Sequence, residues 1–352
     1  MSSDAGVSAS WEKGTDLMQQ IIARIQDGQS LSMDEMAAVV DAIMKGDCDE
    51  DHIAAFLLAL RAKGETVEEI AGAARALRQH MTPIRTRHTR LLDTCGTGGD
   101  GSQTFNISTA AALVTAACGV PVAKHGNRGM TSRSGSADVL AALGVNIEAD
   151  VAVVERCLDE VGICFCFAPQ LHPSMRHVGP VRKRLGVPTI FNLLGPLCNP
   201  ASAPFQLLGV GRPELRTRLA AALGLLGSTR AAIVSGEDGL DEVTLAGVTM
   251  VSEVTPEAIR ELSWTPESFG LARSGLTGLQ VDGPSASAEM IRGVLDGQSG
   301  PHRDIVVLNS AAALWIAGED PSLELCCRRA AEAIDQGAAR QVLTALAETS
   351  HL

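Results

Sequence analysis

The chain has 352 residues, a length that suits two domains or one large domain with an appendage, and it can bury a core without disulfide or metal staples. Hydrophobic residues make up 45% and charged residues 20%, which excludes disorder along most of the chain, and aromatics at 3% with no Tyr leave the core to aliphatic side chains. Lys and Arg number 29 against 41 Asp and Glu, a formal charge of −12 that suits neither a sequence-independent nucleic-acid binder nor an anionic-membrane binder, so any phosphate bound here belongs in a local pocket.

The opening MSSDAGVSASWEKG is polar and lacks the basic start and apolar run of a signal peptide. No apolar stretch approaches the ~20 residues that span a bilayer. The nine Cys are scattered, and the close pairs Cys164/Cys166 and Cys326/Cys327 lack zinc-site spacing. These features point to a soluble, cytoplasmic protein with reduced thiols and no structural zinc.

Residues 14–82 read as helices. LSMDEMAAVVDAIMKG has apolar residues at helical spacing, with Ser32 as cap before Asp34 and Glu35 and Gly46 closing it. DEDHIAAFLLALRAKG repeats the pattern and ends at Gly64, and TVEEIAGAARALRQHM follows with Thr66 as its cap. From residue 90 the period changes. RLLDTCG, VPVAKHG, GICFCFAP, FQLLGVG, TRAAIVSG and HRDIVVLNS are short apolar runs bounded by Gly or Pro, and helical stretches such as NISTAAALVTAACG and RPELRTRLAAALGLLG lie between them. Strand alternating with helix predicts an α/β fold with a mostly parallel sheet covered by helices, preceded by a small helical bundle. The expected division is a bundle over 1–85, joined by helices from about 172–186 in the basic segment HPSMRHVGPVRKRLG, and an α/β domain over 86–352. Ligands of such sheets sit beyond the carboxyl ends of the strands.

The strongest chemical signal is DTCGTGGDGSQTFNIST, residues 93–109, in which a strand runs into Gly96, Thr97, Gly98, Gly99, Asp100 and Gly101 and a helix opens near Asn106. Glycines let backbone N–H groups approach an anion and the helix N-terminus adds donors and a favourable dipole, so phosphate is the natural ligand. The same residues satisfy GxGxxG, but a dinucleotide site demands an acid at the end of the next strand, where Lys124 and His125 stand instead. Lys124, Arg128 and Arg133 then put cations on a loop rich in Ser and Thr; Ser134 or Ser136 also reads simply as a cap for the helix containing Asp138. In GEDGLDEVTLAG the adjacent Asp241 and Glu242 offer oxygen ligands suited to Mg²⁺, the alternative being a solvated turn. A helix across Arg182, Lys183 and Arg184 turns Arg182 to a different face from Lys183, and its fork suits a planar carboxylate.

In this order and after a helical bundle, GTGGDGSQTFNIST, KHGN, SGSADVLAALG, HPSM, TIFNLLGPLCNP and the acidic pair before VTLAG closely resemble the anthranilate phosphoribosyltransferase family over residues 14–345. Departures are small: Gly129, Met130 and Thr131 stand where relatives vary, and Val187-Pro188 stands where many have an Arg before the Thr. The resemblance implies transfer of 5-phosphoribosyl from phosphoribosyl diphosphate (PRPP) to the amine of anthranilate, with release of diphosphate, in tryptophan biosynthesis. It further implies that PRPP is surrounded by Gly96, Gly99, Asp100, Thr104, Asn106, Ile107, Ser108, Thr109, Lys124, His125, Gly126, Asn127, Arg128, Gly129, Met130, Thr131, Ser132 and Ser136. Ser108, Asp241 and Glu242 would hold Mg²⁺; Gly96, Asn127 and Arg182 would contact anthranilate, with Pro169 and His172 lining its path. Lys124 and bound Mg²⁺ would stabilise the leaving diphosphate, and the family implies a homodimer joined through the helical domain.

Two other classes stand beside this one. A pyrimidine-nucleoside phosphorylase shares the bundle-plus-α/β plan, but its glycine-rich loop usually begins with Lys, whereas Asp93-Thr94-Cys95 precedes the glycines here. A non-enzymatic, nucleic-acid-binding paralogue would have a basic groove, and this chain is acidic with KHGN intact.

Overall fold

The structure is a computed structural model and describes residues 14–129 and 134–352. Met130, Thr131, Ser132 and Arg133 therefore lie outside the described residues. The chain divides into two compact units, one of residues up to His80 together with Ser174–Phe191, the other of Met81–Pro173 and Asn192–Leu352.

The first unit contains α1 (Gly14–Gln26), α2 (Met33–Lys45), α3 (Glu50–Lys63) and α4 (Val67–Gln79). Local chemistry sets their ends. Ser32 and Glu35 form a capping box at α2, Thr66 and Glu69 form another at α4, and Gly46 closes α2 in the left-handed conformation that a glycine adopts without strain. Glu69 is wholly buried yet fully bonded: Oε1 accepts the Leu31 N–H at 2.9 Å, and Oε2 accepts the Thr66 N–H at 2.8 Å and Lys63 Nζ at 2.9 Å. A buried carboxylate left unpaired would be costly, so this one pins the start of α4 to its neighbours. The basic segment belongs to the same unit, with a helix at Gly179–Leu185 whose Arg184 pairs with Asp51 at 3.1 Å.

The second unit is an α/β fold. Its strands are β1 (Leu92–Gly96), β2 (Val122–Gly126), β3 (Ile163–Phe167), β4 (Phe205–Gly209), β5 (Arg230–Gly236), β6 (Thr249–Val254) and β7 (Ile259–Trp264). Among the described residues they form one seven-stranded sheet in the order β3-β2-β1-β4-β5-β6-β7, parallel from β3 to β5 and antiparallel thereafter. The chain steps outward from β1 to β3, then returns to lay β4 against the free side of β1. That reversal opens a crevice at the carboxyl ends of β1 and β4, where open α/β sheets bind ligands. Helices including α5 (Ile107–Ala117), α6 (Ser136–Ala142) and Pro301–Ile316 flank the sheet and share its buried aliphatic core.

One expectation fails here. HRDIVVLNS is helical, part of Pro301–Ile316. A short apolar run cannot distinguish a strand from a buried helix, and this one continues through AAALWI behind a Gly-Pro start, too long for a typical strand. The β6–β7 hairpin has no clear strand pattern in the sequence because TMVSEV and IRELSW mix polar and apolar residues; β7 lies at the sheet edge and is largely exposed. No helix among the described residues is long and apolar enough to cross a membrane.

Candidate active site

The loop after β1 is built around glycines. Gly98, Gly99 and Gly101 have φ of 65°, 80° and 73°, a conformation that side chains resist. Thr97 N donates to Gly209 O at 2.9 Å and Gly98 N donates to Asp241 Oδ2 at 3.1 Å. Among the described residues nothing accepts from the N–H groups of Gly99, Asp100 or Gly101, which leaves a run of backbone donors without partners. Thr104 follows in a bridge to Gln280, and its hydroxyl lies 3.2 Å from Ser102 Oγ. Asn106 caps α5 by accepting the Thr109 N–H at 3.0 Å, and its Nδ2 donates to Ser134 O at 2.7 Å. Ser108 stands on the first turn, its hydroxyl donating to Asn106 Oδ1 at 3.2 Å; Ile107 and Thr109 are buried beneath it.

The loop after β5 brings Asp241 and Glu242 to the same place, half-buried. Gly209 ends β4 because a side chain there would overlap the Asp241 carbonyl oxygen, and a Cβ on Gly96 would lie 2.9 Å from Asp241 Oδ2. The solvated-turn reading of the pair is therefore wrong. Burial, and next the charge of Asp100, push the Asp241 carboxyl up to about 7. Burial and then Asp241 push Glu242 well above the usual carboxylate range, with the Ser108 N–H pulling the other way. Asp100 Oδ2 is buried and meets no donor.

Lys124 is buried, 3% exposed, and donates to Thr94 O at 2.6 Å and to Ser108 Oγ at 3.1 Å. Its ammonium thus lies under the Ser108 turn, and Asp93, Cys95 and Glu242 oppose the loss of charge that burial favours. His125 Nδ1 donates to Gly195 O at 3.0 Å, which leaves Nε2 to accept from His172 Nε2 at 3.1 Å. Burial pushes these imidazoles down to about 3 and about 4, so both are neutral at pH 7. Pro169, in the short helix Ala168–Leu171 after β3, is exposed.

Gly126 leaves room for Ser136 Oγ, and the exposed Asn127 binds the Arg128 N–H through its own side chain at 2.7 Å. Arg128 is not an unpaired cation: it reaches Asp138 at 3.3 Å and Glu148 at 3.1 Å, and the Gly129 N–H donates to Asp138 Oδ2 at 2.8 Å. Neither Ser134 nor Ser136 caps α6. The cap is Gly135, without a side-chain bond, because Asp138 turns back to the Gly129 amide and a Cβ at Gly135 would strike that same backbone. In the first unit, Arg182 is half-buried against Phe191 at 5.9 Å, while Lys183 and Arg184 are exposed.

A family model described as the glycosyl transferase family helical bundle domain matches residues 19–81, and one described as the a/b domain of that family matches residues 88–340. A curated anthranilate phosphoribosyltransferase from Rhodopirellula baltica is 51% identical over 327 residues, 93% of this chain and 96% of the relative. The chain belongs to the anthranilate phosphoribosyltransferase family. The solved structure of the Thermus thermophilus member superposes with a TM-score of 0.89 at 43% identity, covering 94% of this chain and 99% of the other. The Saccharomyces cerevisiae member in complex with PRPP and Mg gives a TM-score of 0.87 at 29% identity, with 96% and 98% covered. These likenesses favour the phosphoribosyltransferase reading over the phosphorylase and nucleic-acid-binding alternatives.

Beneath these anthranilate phosphoribosyltransferase loops lies a buried polar support that no sequence motif marks. Asp93 is wholly buried and accepts the His125 N–H at 3.0 Å and Gln206 Nε2 at 3.4 Å, while Gln206 also donates to Pro196 O at 2.6 Å. The sequence signal is an acid directly after Leu91 and Leu92 at the start of a strand, where a carboxylate is buried only with partners.

Proposed function

We propose that this protein transfers the 5-phosphoribosyl group of PRPP to the amine of anthranilate and releases diphosphate, the second step of tryptophan biosynthesis. The observation that carries the reading is the meeting of a donor-rich loop and an acidic pair at Gly98 N and Asp241 Oδ2, 3.1 Å apart, beyond the strand ends of a chain in this family. The N–H groups of Gly99, Asp100 and Gly101 and the N-terminus of α5 would bind phosphate oxygens, with Gly96, Thr104, Asn106, Asn127 and Ser136 around the sugar phosphate.

Magnesium fits the residues present. Among the described residues no three His, Cys, Asp or Glu side chains form a closed metal cage, and Mg²⁺ does not need one, since it takes one or two carboxylates and leaves other positions to water and phosphate. The donor-less Asp100 Oδ2 and the crowded charges of Asp241 and Glu242 are what a divalent cation would relieve. Ser108, Asp241 and Glu242 would hold it, and when bound it would supply positive charge against the departing diphosphate. Lys124, fixed beneath Ser108, adds a positive charge that need not reorganise during the reaction.

Anthranilate is an aromatic amine, neutral near pH 7, so its nitrogen can attack ribose C1 without a strong base to activate it. The neutral His125–His172 pair suits a wall, with Pro169 and His172 lining the acceptor's path and Gly96 and Asn127 contacting it. Arg182 would take the acceptor's carboxylate in a bidentate grip and so orient the amine. A cytoplasmic homodimer joined through the helical unit completes the reading. The test is loss of anthranilate fluorescence with purified protein, Mg²⁺ and PRPP, with uracil and thymidine as control substrates. Turnover that needs all three components supports the proposal; phosphorolysis or uracil transfer without anthranilate turnover would overturn it.

A further inference from the structure

The acidic loop between β5 and β6 is braced on both sides of its carboxylates. Before them, Asp238 Oδ1 accepts the Leu240 N–H at 3.1 Å and Asp238 Oδ2 accepts the Thr244 hydroxyl at 2.6 Å, a brace made within the loop. After them, the brace comes from a distant element. Asn309, in the helix Pro301–Ile316, is 0% exposed. Its Oδ1 accepts the Val243 N–H at 2.9 Å and its Nδ2 donates to Val243 O at 2.9 Å. The second amide hydrogen goes to Ile305 O, one turn back in its own helix, at 2.9 Å.

Packing alone does not call for an amide. Leu308, Ala311 and Ala312 beside it on the helix are wholly buried apolar residues. What an amide adds is a donor and an acceptor side by side, which can satisfy both backbone groups of one residue at once. The residue so held is the one directly after Glu242, and holding its N–H and C=O together fixes its rotation as well as its position. The same helix also reaches the other candidate metal-holding element, because Ser310 Oγ lies 3.4 Å from Ala111 O on α5, whose first turn carries Ser108. One helix thus spaces the Ser108 turn from the acidic loop.

We propose that Asn309 is a positioning residue for phosphoribosyl transfer: by binding both backbone groups of Val243 it sets the direction in which the Asp241 and Glu242 carboxylates face. The proposal rests on the reading of that pair as the magnesium-holding carboxylates.

The test compares Asn309→Ala with Leu343→Ala, which opens a cavity in the same core cluster and supplies the baseline for general loss of stability. In metal-free protein, amide hydrogen exchange over residues 238–247 should accelerate about tenfold or more in Asn309→Ala, with β5 unchanged. The Mg²⁺ concentration for half-maximal activity should rise about tenfold, with the KM for anthranilate unchanged. Leu343→Ala should show neither effect. If Asn309→Ala does not fold, Asn309→Ser carries the same expectation, since a serine hydroxyl there can bond Ile305 O, as Ser310 bonds Val306 O at 2.7 Å, but cannot span to Val243. Unchanged loop exchange in the Asn309 variant, or the same pattern in Leu343→Ala, would overturn the proposal. Failure of the underlying reading looks different: loop exchange accelerates in Asn309→Ala while Asp241→Asn leaves the magnesium titration unmoved.

Discussion

The helical unit and the sheet unit differ in range: the helix ends of the first are set locally, although its helices are also tied by distant bonds such as Leu31 N–H to Glu69 Oε1, whereas the site loops of the second are set by distant approaches. In the first, Ser32 meets Glu35 and Thr66 meets Glu69, each pair three residues apart. In the second, the decisive approaches join residues far apart in the chain: Gly96 and Gly209 make room for Asp241, and Gly211 for Asp100. Local caps set where each helix begins. Close passage of distant backbones places donors and carboxylates within hydrogen-bond reach, and leaves no slack where they pass.

The largest effect should therefore come from the smallest addition to the sheet unit. Gly209→Ala would drive a methyl group into the Asp241 carbonyl and lift the acidic loop, and kcat/KM should fall about a hundredfold or more in steady-state kinetics. Near-normal turnover would show that the loop does not need this seat. Next, Asp241→Asn with Glu242→Gln should raise the Mg²⁺ concentration for half-maximal activity about tenfold or more. An unmoved titration would remove the pair from its role.

Arg182 is the residue proposed to bind the acceptor's carboxylate. Arg182→Ala should raise the KM for anthranilate about tenfold while leaving that for PRPP alone. Equal changes in both constants would return it to the scaffold.

A smaller effect should appear in stability against pH. His125 and His172 are held neutral down to about 3 and about 4 in the folded protein, whereas the unfolded chain takes up their protons below about pH 6.5. The unfolded state then binds more protons, so stability falls as pH drops through that window, by at most about 1.4 kcal/mol per pH unit for each histidine. Urea midpoints from pH 7 to 4 measure this, and a double Asn variant should flatten the slope. The smallest change is expected from Ser32→Ala, which removes a cap worth about 1 kcal/mol and should lower the thermal midpoint with kcat/KM untouched.

The same difference in range governs what the sequence disclosed. Ser32, Gly46, Gly64 and Thr66 mark helix boundaries because caps and closing glycines act within a turn. The glycines at 96–101 mark a tight loop for the same reason, and Gly98, Gly99 and Gly101 do adopt positive φ. Asp93 shows only as an acid inside a strand, and Gln206 and Asn309 give no comparable sign, since a buried polar side chain is recognised by its partners, and those lie on other elements. HRDIVVLNS reads as a strand because its apolar positions are buried on all sides, so neither period shows; the pairing of Arg128 with Asp138 and Glu148 is not visible in the sequence because they are ten and twenty residues on.

If the β1 loop and the acidic loop form one anion-and-metal site, as proposed, a crystal structure with PRPP and Mg²⁺ will show diphosphate oxygens on the Gly99–Gly101 amides and a metal ion bonded to Ser108, Asp241 or Glu242. Density for the sugar diphosphate elsewhere, with these groups unengaged, would rule that site out.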